Sequence, residues 1–161
     1  MLKKVLLSVL VLSLLFPSAA FCGSKGSKAV KATAKAAPET GGAFSATAAG
    51  TIVDSKTKLE WAVGPDEDTT WEEAKSWVAG LTLAGGGWRV PTREELKTLY
   101  MPKTGDRNIS PVFKMKGWWV WTGEPSGDTK AWTFEFESGV PFAIFRDLSN
   151  YGRAFAVRAK K

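Results

Sequence analysis

The chain has 161 residues, with 22 Lys and Arg against 16 Asp and Glu, no histidine and a single cysteine. Lacking histidine, it has no usual general base, no His-containing triad and few ways to build a zinc site, and one cysteine cannot close an internal disulfide. The formal charge of +6 does not describe a nucleic-acid surface: residues 1–43 hold six lysines against Glu39, leaving 16 bases and 15 acids elsewhere, so no nucleic-acid partner is expected.

Residues 1–20 read as a secretory signal: Lys3-Lys4, an apolar run over 5–16, then Pro17-Ser18-Ala19-Ala20. The run falls short of the roughly 20 apolar residues that span a bilayer, and no later segment is apolar for as long. An exported protein is predicted, in the periplasm, on the outer membrane surface or outside the cell. Ser18-x-Ala20 offers cleavage before Phe21. A second reading keeps Cys22 as a lipidated N-terminus and membrane tether; against it, Phe21 stands where lipoprotein signals carry a small residue. Residues 21–43 are mostly Gly, Ser, Ala, Lys and Thr. With few large apolar side chains to offset ordering entropy, they predict a flexible linker ahead of one domain at 44–161. The linker lysines would add a weak, salt-sensitive attraction to anionic surfaces.

Within the domain, Gly50-Thr51-Ile52-Val53-Asp54 and Lys58-Leu59-Glu60-Trp61 predict a hairpin, with Asp54 starting the turn. The loop Gly64-Pro65-Asp66-Glu67-Asp68-Thr69 puts three acids ahead of a helix N-terminus, where negative charge is favoured and water is the expected partner. Two helices then begin with the same chemistry. Thr70 and Glu73 form one capping box and Thr92 and Glu95 another, each threonine accepting from the glutamate's backbone N–H while the carboxylate reaches back. The first helix is expected over 71–81, with Trp71, Ala74, Trp77, Val78 and Leu81 as its apolar stripe. Gly85-Gly86-Gly87 turns the chain, and the second helix is expected over 93–100, ended by Pro102. Residues 101–117 predict a long loop pinned to the core by Ile109, Val112 and Phe113.

Strands follow. Trp118-Trp119-Val120-Trp121-Thr122 is dense enough for a central strand buried on both faces. Residues 131–137 alternate Trp132, Phe134 and Phe136 with other residues, the pattern of a sheet with one wet face. Ser138-Gly139 turns into 140–145, and 151–158 form a last strand. Eight tryptophans and nine phenylalanines supply the core, since each large aromatic buries ~150–250 Å². Trp61, Trp71, Trp77, Trp88, Trp119 and Trp132 are expected inside, whereas Trp118 and Trp121 are the candidates for partial exposure.

This order of elements, with Gly50-Thr51-Ile52-Val53-Asp54, Lys56-Thr57, Leu59, Trp61, Thr70-Trp71, Ala74, Trp88-Arg89-Val90-Pro91-Thr92, Glu95-Leu96 and Val157-Arg158, resembles the Lcl C-terminal domain family. That family is named for the C-terminal module of a Legionella collagen-like protein. The resemblance implies an α+β, C-type-lectin-like fold: an N-terminal hairpin, two short helices, then a twisted antiparallel sheet with long loops. Relative to the family pattern, Lys58 stands in place of Gly, Val90 in place of Leu, Trp119-Val120-Trp121-Thr122 in place of a Trp-Ser-Ser-type strand, and Ala156 where Cys is frequent. No collagen-like repeat precedes the domain, so a triple-helical trimer is not implied. Glu124-Pro125-Ser126 faintly resembles the Glu-Pro-Asn of calcium-dependent lectins, but Ser126 replaces the Asn and no Trp-Asn-Asp follows.

With helices and sheet accounting for nearly all large aromatics, function is expected on the loops 101–117, 123–130 and 146–151. The candidate contacts are Arg107, Asn108, Trp118, Asp128, Arg146, Asp147, Asn150 and Tyr151. Arg89, between Trp88 and a helix cap, is expected to tie the second helix to a carboxylate or a strand carbonyl. The reading is a non-catalytic, exported module that recognises a glycan or protein ligand, with no cofactor and no metal. The alternative is an envelope or filament component that packs through Trp118 or Phe142. A hydrolase using paired acids is the third possibility, although Glu72-Glu73 and Glu94-Glu95 are already explained by capping.

Overall fold

The computed structural model describes residues 40–41 and 43–160; the leader, Cys22 and the linker up to residue 39 lie outside them. The sheet starts upstream of the expected boundary at residue 44, because β1 (Thr40–Gly41) pairs with β2 (Phe44–Ala46). After β2 come β3 (Ile52–Asp54) and β4 (Leu59–Val63), the expected hairpin. Its turn is built as the sequence suggests: the Asp54 carboxylate accepts from the Lys56 N–H at 2.8 Å and from the Thr57 hydroxyl at 2.6 Å.

Both capping boxes form. Helix α1 (Trp71–Ala79) starts at Thr70 and ends earlier than expected, at Gly80, whose N–H reaches the Ser76 carbonyl. Leu83–Gly85 makes a separate 3-10 turn, so the triple glycine closes that turn and not the helix. Helix α2 (Arg93–Thr98) is also shorter than expected, its last turn tightening as the Leu99 N–H bonds to the Leu96 carbonyl. Residues 101–117 form the predicted loop, with one 3-10 turn at Pro111–Phe113, and Ile109, Val112 and Phe113 are buried as expected.

The second sheet comprises β5 (Trp119–Ser126), β6 (Lys130–Glu135), β7 (Val140–Phe145) and β8 (Gly152–Arg153), in the order β7-β6-β5-β8. The chain then crosses at Ala154 into β9 (Phe155–Ala159), which closes the first sheet in the order β1-β2-β3-β4-β9. The run expected as one strand over 151–158 is thus split between two sheets. Its first part runs parallel to β5, so the second sheet is mixed, not purely antiparallel. The α+β class stands, with two short helices and two sheets.

Strands β5 and β6 together separate two parts of the core. On one face Val120 and Phe134 join Phe44, Trp61, Leu96, Leu99, Phe113, Phe155 and Val157 between the sheets. On the other face Trp119, Trp121 and Ala131 pack against Trp71 and Ala74 of α1. This second layer buries Thr133, so β6 has no wet face. Trp121 is fully buried, contrary to expectation, because its indole N–H finds the Thr69 carbonyl at 2.6 Å inside the layer. Trp77, Trp88 and Trp132 are half-buried where full burial was expected. Arg158 covers the ring of Trp88 and Arg93 that of Trp132, so a cation replaces apolar packing on one face.

Candidate functional site

Three irregular segments meet at one edge of the second sheet: the 64–69 loop, residues 101–118 and residues 146–152. Arg153 joins them from β8. It is 8 % exposed, and its Nε donates to Asp66 at 2.6 Å while Nη1 donates to Asp68 at 2.9 Å. The acids expected to face water therefore clamp a buried guanidinium; among the three, Glu67 stays exposed without such a partner. Burial pushes the Asp66 carboxyl up, but hydrogen bonds from Arg153 and from the Lys116 N–H, with the charges of both cations, outweigh it and hold the group below the usual carboxylate range.

From this clamp a chain of contacts runs to the surface. Asp68 also accepts from the Tyr151 N–H at 3.0 Å, and the Tyr151 carbonyl accepts from the Trp118 N–H at 3.0 Å. The Trp118 ring meets Tyr151 edge-on, with centroids 6.4 Å apart, and Arg107 lies over the Trp118 ring at 4.0 Å. Arg107 is oriented by its Nε, which donates to the Lys116 carbonyl at 3.1 Å. Gly117 makes this approach possible: a Cβ there would lie 2.6 Å from the Tyr151 carbonyl oxygen and 2.5 Å from Arg153 Cγ. The result is a cation–indole–phenol row with Tyr151 58 % exposed at its outer end. Beside it the loop encloses an open cavity of about 410 Å³ between residues 105 and 116, with Arg107 in its wall.

Of the eight residues expected to contact a ligand, the structure brings Arg107, Trp118 and Tyr151 together. Asn108 sits next to them but is spent on the loop: its side-chain amide donates to the Phe136 and Glu137 carbonyls, and its oxygen accepts from the Lys103 N–H. Arg146 and Asp128 form a separate neighbourhood. Arg146 donates to the Lys130 and Gly127 carbonyls, with its guanidinium 4.4 Å from the Trp71 ring centroid, and Asp128 is exposed in the adjoining β5–β6 turn. Asp147 and Asn150 are exposed. Sequence reasoning missed Arg153, Asp66 and Asp68, which hold Tyr151 in place. Arg153 lies 87 and 85 residues from its two acids, a separation at which no local pattern announces a pair.

Other charged residues are committed to structure. Arg89 forks onto the Glu95 carboxylate that completes the second capping box, as expected from its position. Glu124, the acid of the lectin-like tripeptide, accepts from Arg93 Nε at 3.0 Å and from the Arg93 N–H at 2.9 Å. That hydrogen bond, with the Arg93 charge, holds its carboxyl below the ordinary value against the effect of burial. Among the described residues no group of three or more His, Cys, Asp and Glu side chains could hold a metal, and no helix is long and apolar enough to cross a membrane.

Together these features define a small α+β module whose regular elements are braced by ion pairs and whose irregular rim presents a cation, an indole and a phenol. Residues 50–158 match the model of the Lcl C-terminal domain, and the chain belongs to that family. No match was found among curated proteins.

Proposed function

We propose that this chain is an exported, surface-associated binding module without enzymatic activity, which recognises a glycan or protein ligand through its irregular rim. The C-type-lectin-like fold is part of this reading. Family membership supports the surface association, and the signal-like residues 1–20 support export. One observation carries the binding site: Arg107, Trp118 and Tyr151 stand in a row on loops anchored by the Arg153 clamp. Aromatic faces and a fixed guanidinium suit both sugar rings and protein side chains, and a rigid base keeps the ordering cost of binding low. The test is a glycan and surface-polymer screen with the purified chain, repeated with Tyr151→Ala and Arg107→Ala. Binding should fall at least about tenfold in both variants, with the melting temperature kept, and should survive salt that screens the linker lysines. Full binding by both variants would overturn the site.

A second reading, packing into an envelope or filament structure, has its own observation. Strand β7 is a sheet edge, with Val140 and Phe145 each 51 % exposed. The mass of the chain in solution discriminates: an oligomer that dissociates on Phe145→Lys favours assembly, and a monomer that binds ligand favours recognition.

A further inference from the structure

A sheet edge is a place where an extended chain can add a strand, and this domain leaves one long edge open. Strands β1 and β8 have two residues each, and β9 is covered by the antiparallel bridge between Arg89 and Val157. Strand β7 is different. It runs Val140-Pro141-Phe142-Ala143-Ile144-Phe145 without a charge, and among the described residues no strand flanks its outer side. Val140 and Phe145, at its two ends, are each half-exposed, and Phe142, Ala143 and Ile144 are only partly buried. Open edges are commonly guarded by charge or proline, and Pro141 is the one guard within this strand.

The backbone of that edge can be followed group by group. Arg146 donates its N–H to the Thr129 carbonyl at 3.1 Å, and the Phe142 carbonyl accepts from the Thr133 hydroxyl at 2.9 Å, so residues 140, 142, 144 and 146 turn their polar groups toward β6. Pro141, Ala143 and Phe145 turn theirs outward. Proline has no N–H, and the Phe145 carbonyl is taken by the Leu148 N–H at 3.2 Å. What remains is the Pro141 carbonyl, both groups of Ala143 and the Phe145 N–H. This set is self-complementary about a two-fold axis at Ala143. Antiparallel pairing there lets the two Ala143 residues exchange both bonds and gives each Phe145 N–H to the Pro141 carbonyl of the other copy, so no outward group is left without a partner. Sliding one strand by two residues breaks the match. In one direction the Ala143 carbonyl meets the missing Pro141 N–H, and in the other the Ala143 N–H meets the Phe145 carbonyl that Leu148 already holds.

Side chains and charges agree with that register. Phe145 falls opposite Pro141, Phe142 opposite Ile144, and Val140 opposite the aliphatic stem of Arg146, so the apolar groups at one end cover those at the other. Glu135 and Glu137 flank the Val140 end, whereas Lys130 and Arg146 flank the Phe145 end, with Asp147 the acid beside them. Antiparallel pairing sets the acidic end against the basic one, and parallel pairing would set like against like. We propose that β7 pairs with β7 of a second copy of this chain about a two-fold axis at Ala143, joining two four-stranded sheets into one. The proposal rests on the assembly reading above and names its partner. The Arg107, Trp118 and Tyr151 row lies toward β8, at the opposite edge of the sheet, so a pair of copies keeps two free rims and can engage a repetitive surface at both.

The test uses the full chain with Cys22→Ser, so that no native thiol competes. Sedimentation should show a dimer that dissociates on dilution, with the Ala143 and Phe145 amides protected from exchange in the dimer and unprotected in the monomer. Ala143→Cys should oxidise to a covalent dimer, because its Cα atoms meet at the ~5.5 Å of a hydrogen-bonded pair, and Val140→Cys should not. Ala143→Pro removes an N–H that has no partner in a single copy, so it should keep the fold and weaken dimerisation about thirtyfold or more, the scale of two lost hydrogen bonds. Should that variant fail to fold, the Ala143→Cys cross-link and amide exchange in the parent decide. Absence of a dimer, absence of the cross-link, or a dimer indifferent to Ala143→Pro would each overturn the pairing. So would protection of the Ala143 and Phe145 amides in the monomer, which would show an occupant from the same chain. The assembly reading fails separately: a larger oligomer that survives Ala143→Pro but not Phe145→Lys keeps assembly and removes the two-fold pair, whereas a monomer whose β7 amides exchange freely at every concentration removes both.

Discussion

Lys58 sits in the left-handed region, at a φ of +62°, directly after the hairpin turn closed by Asp54. An L-residue with a Cβ is disfavoured there, which accounts for the glycine that the family pattern carries at this place. The side chain is exposed, while the backbone is fixed by the Lys58 N–H on the Asp54 carbonyl and by the Lys160 N–H on the Lys58 carbonyl. Lys58→Gly should therefore stabilise the domain by about 0.5–1 kcal/mol, part of the relieved strain being offset by the larger unfolded-state entropy of glycine. A urea midpoint that falls would show that the turn is not strained. At this scale, legibility followed sequence distance. Arg89 was readable because its partner Glu95 is six residues away inside a recognisable box. Arg153 was not, and Trp121 was misread because its acceptor, the Thr69 carbonyl, is 52 residues upstream.

Helix α2 has six residues, too few to persist without help from outside. Its N-terminus carries the Thr92–Glu95 box, the Arg89 fork on the same carboxylate, and the Glu124 carboxylate on the Arg93 N–H. Thr92→Ala should destabilise the domain by about 1 kcal/mol and Thr92→Ser by much less, read from denaturant midpoints with unchanged slopes. The loop after the helix depends on Asn108 in the same way. At a φ of +53°, with three side-chain hydrogen bonds to backbone groups at Lys103, Phe136 and Glu137, it holds the loop to the end of the second sheet. Asn108→Ala should cost about 2 kcal/mol and release Arg107, whereas Tyr151→Ala should leave the melting temperature nearly unchanged. If both variants melt like the parent, Asn108 is available to ligand after all. Caps, turns and the pinned loop were legible because their causes lie within a few residues. The split of the last strand was not: nothing in Tyr151-Gly152-Arg153-Ala154-Phe155 marks where the chain leaves one sheet for the other, since that is decided by β5 on one side and β4 on the other.

Across the whole molecule, carboxylates act as the fastenings that a cysteine-free domain lacks. Glu60 is opposed by burial, but the Thr51 hydroxyl at 2.6 Å and the Arg158 guanidinium at 2.8 Å hold it below its ordinary value, joining β4 to β9 from inside. Asp66 ties the first loop to β8, Glu95 fixes the start of α2, and Glu124 joins α2 to β5; all four groups are lowered. A group whose folded pKa is depressed binds fewer protons folded than unfolded. Its stabilisation is therefore complete above the unfolded carboxylate value and disappears as pH falls through the folded one. Stability should be flat from neutrality to about pH 5 and then fall steeply below about pH 4, with no step near 6.5 because there is no histidine. Salt separates the contributions. Arg93 and Glu124 are each about one-third exposed and should weaken in 1 M salt, whereas Glu60 and Arg158 are buried and should not. Arg153→Gln takes away the main support of the Asp66 shift, so its acid limb should be shallower than that of the parent; an identical limb would place the acid sensitivity with Glu60, Glu95 and Glu124.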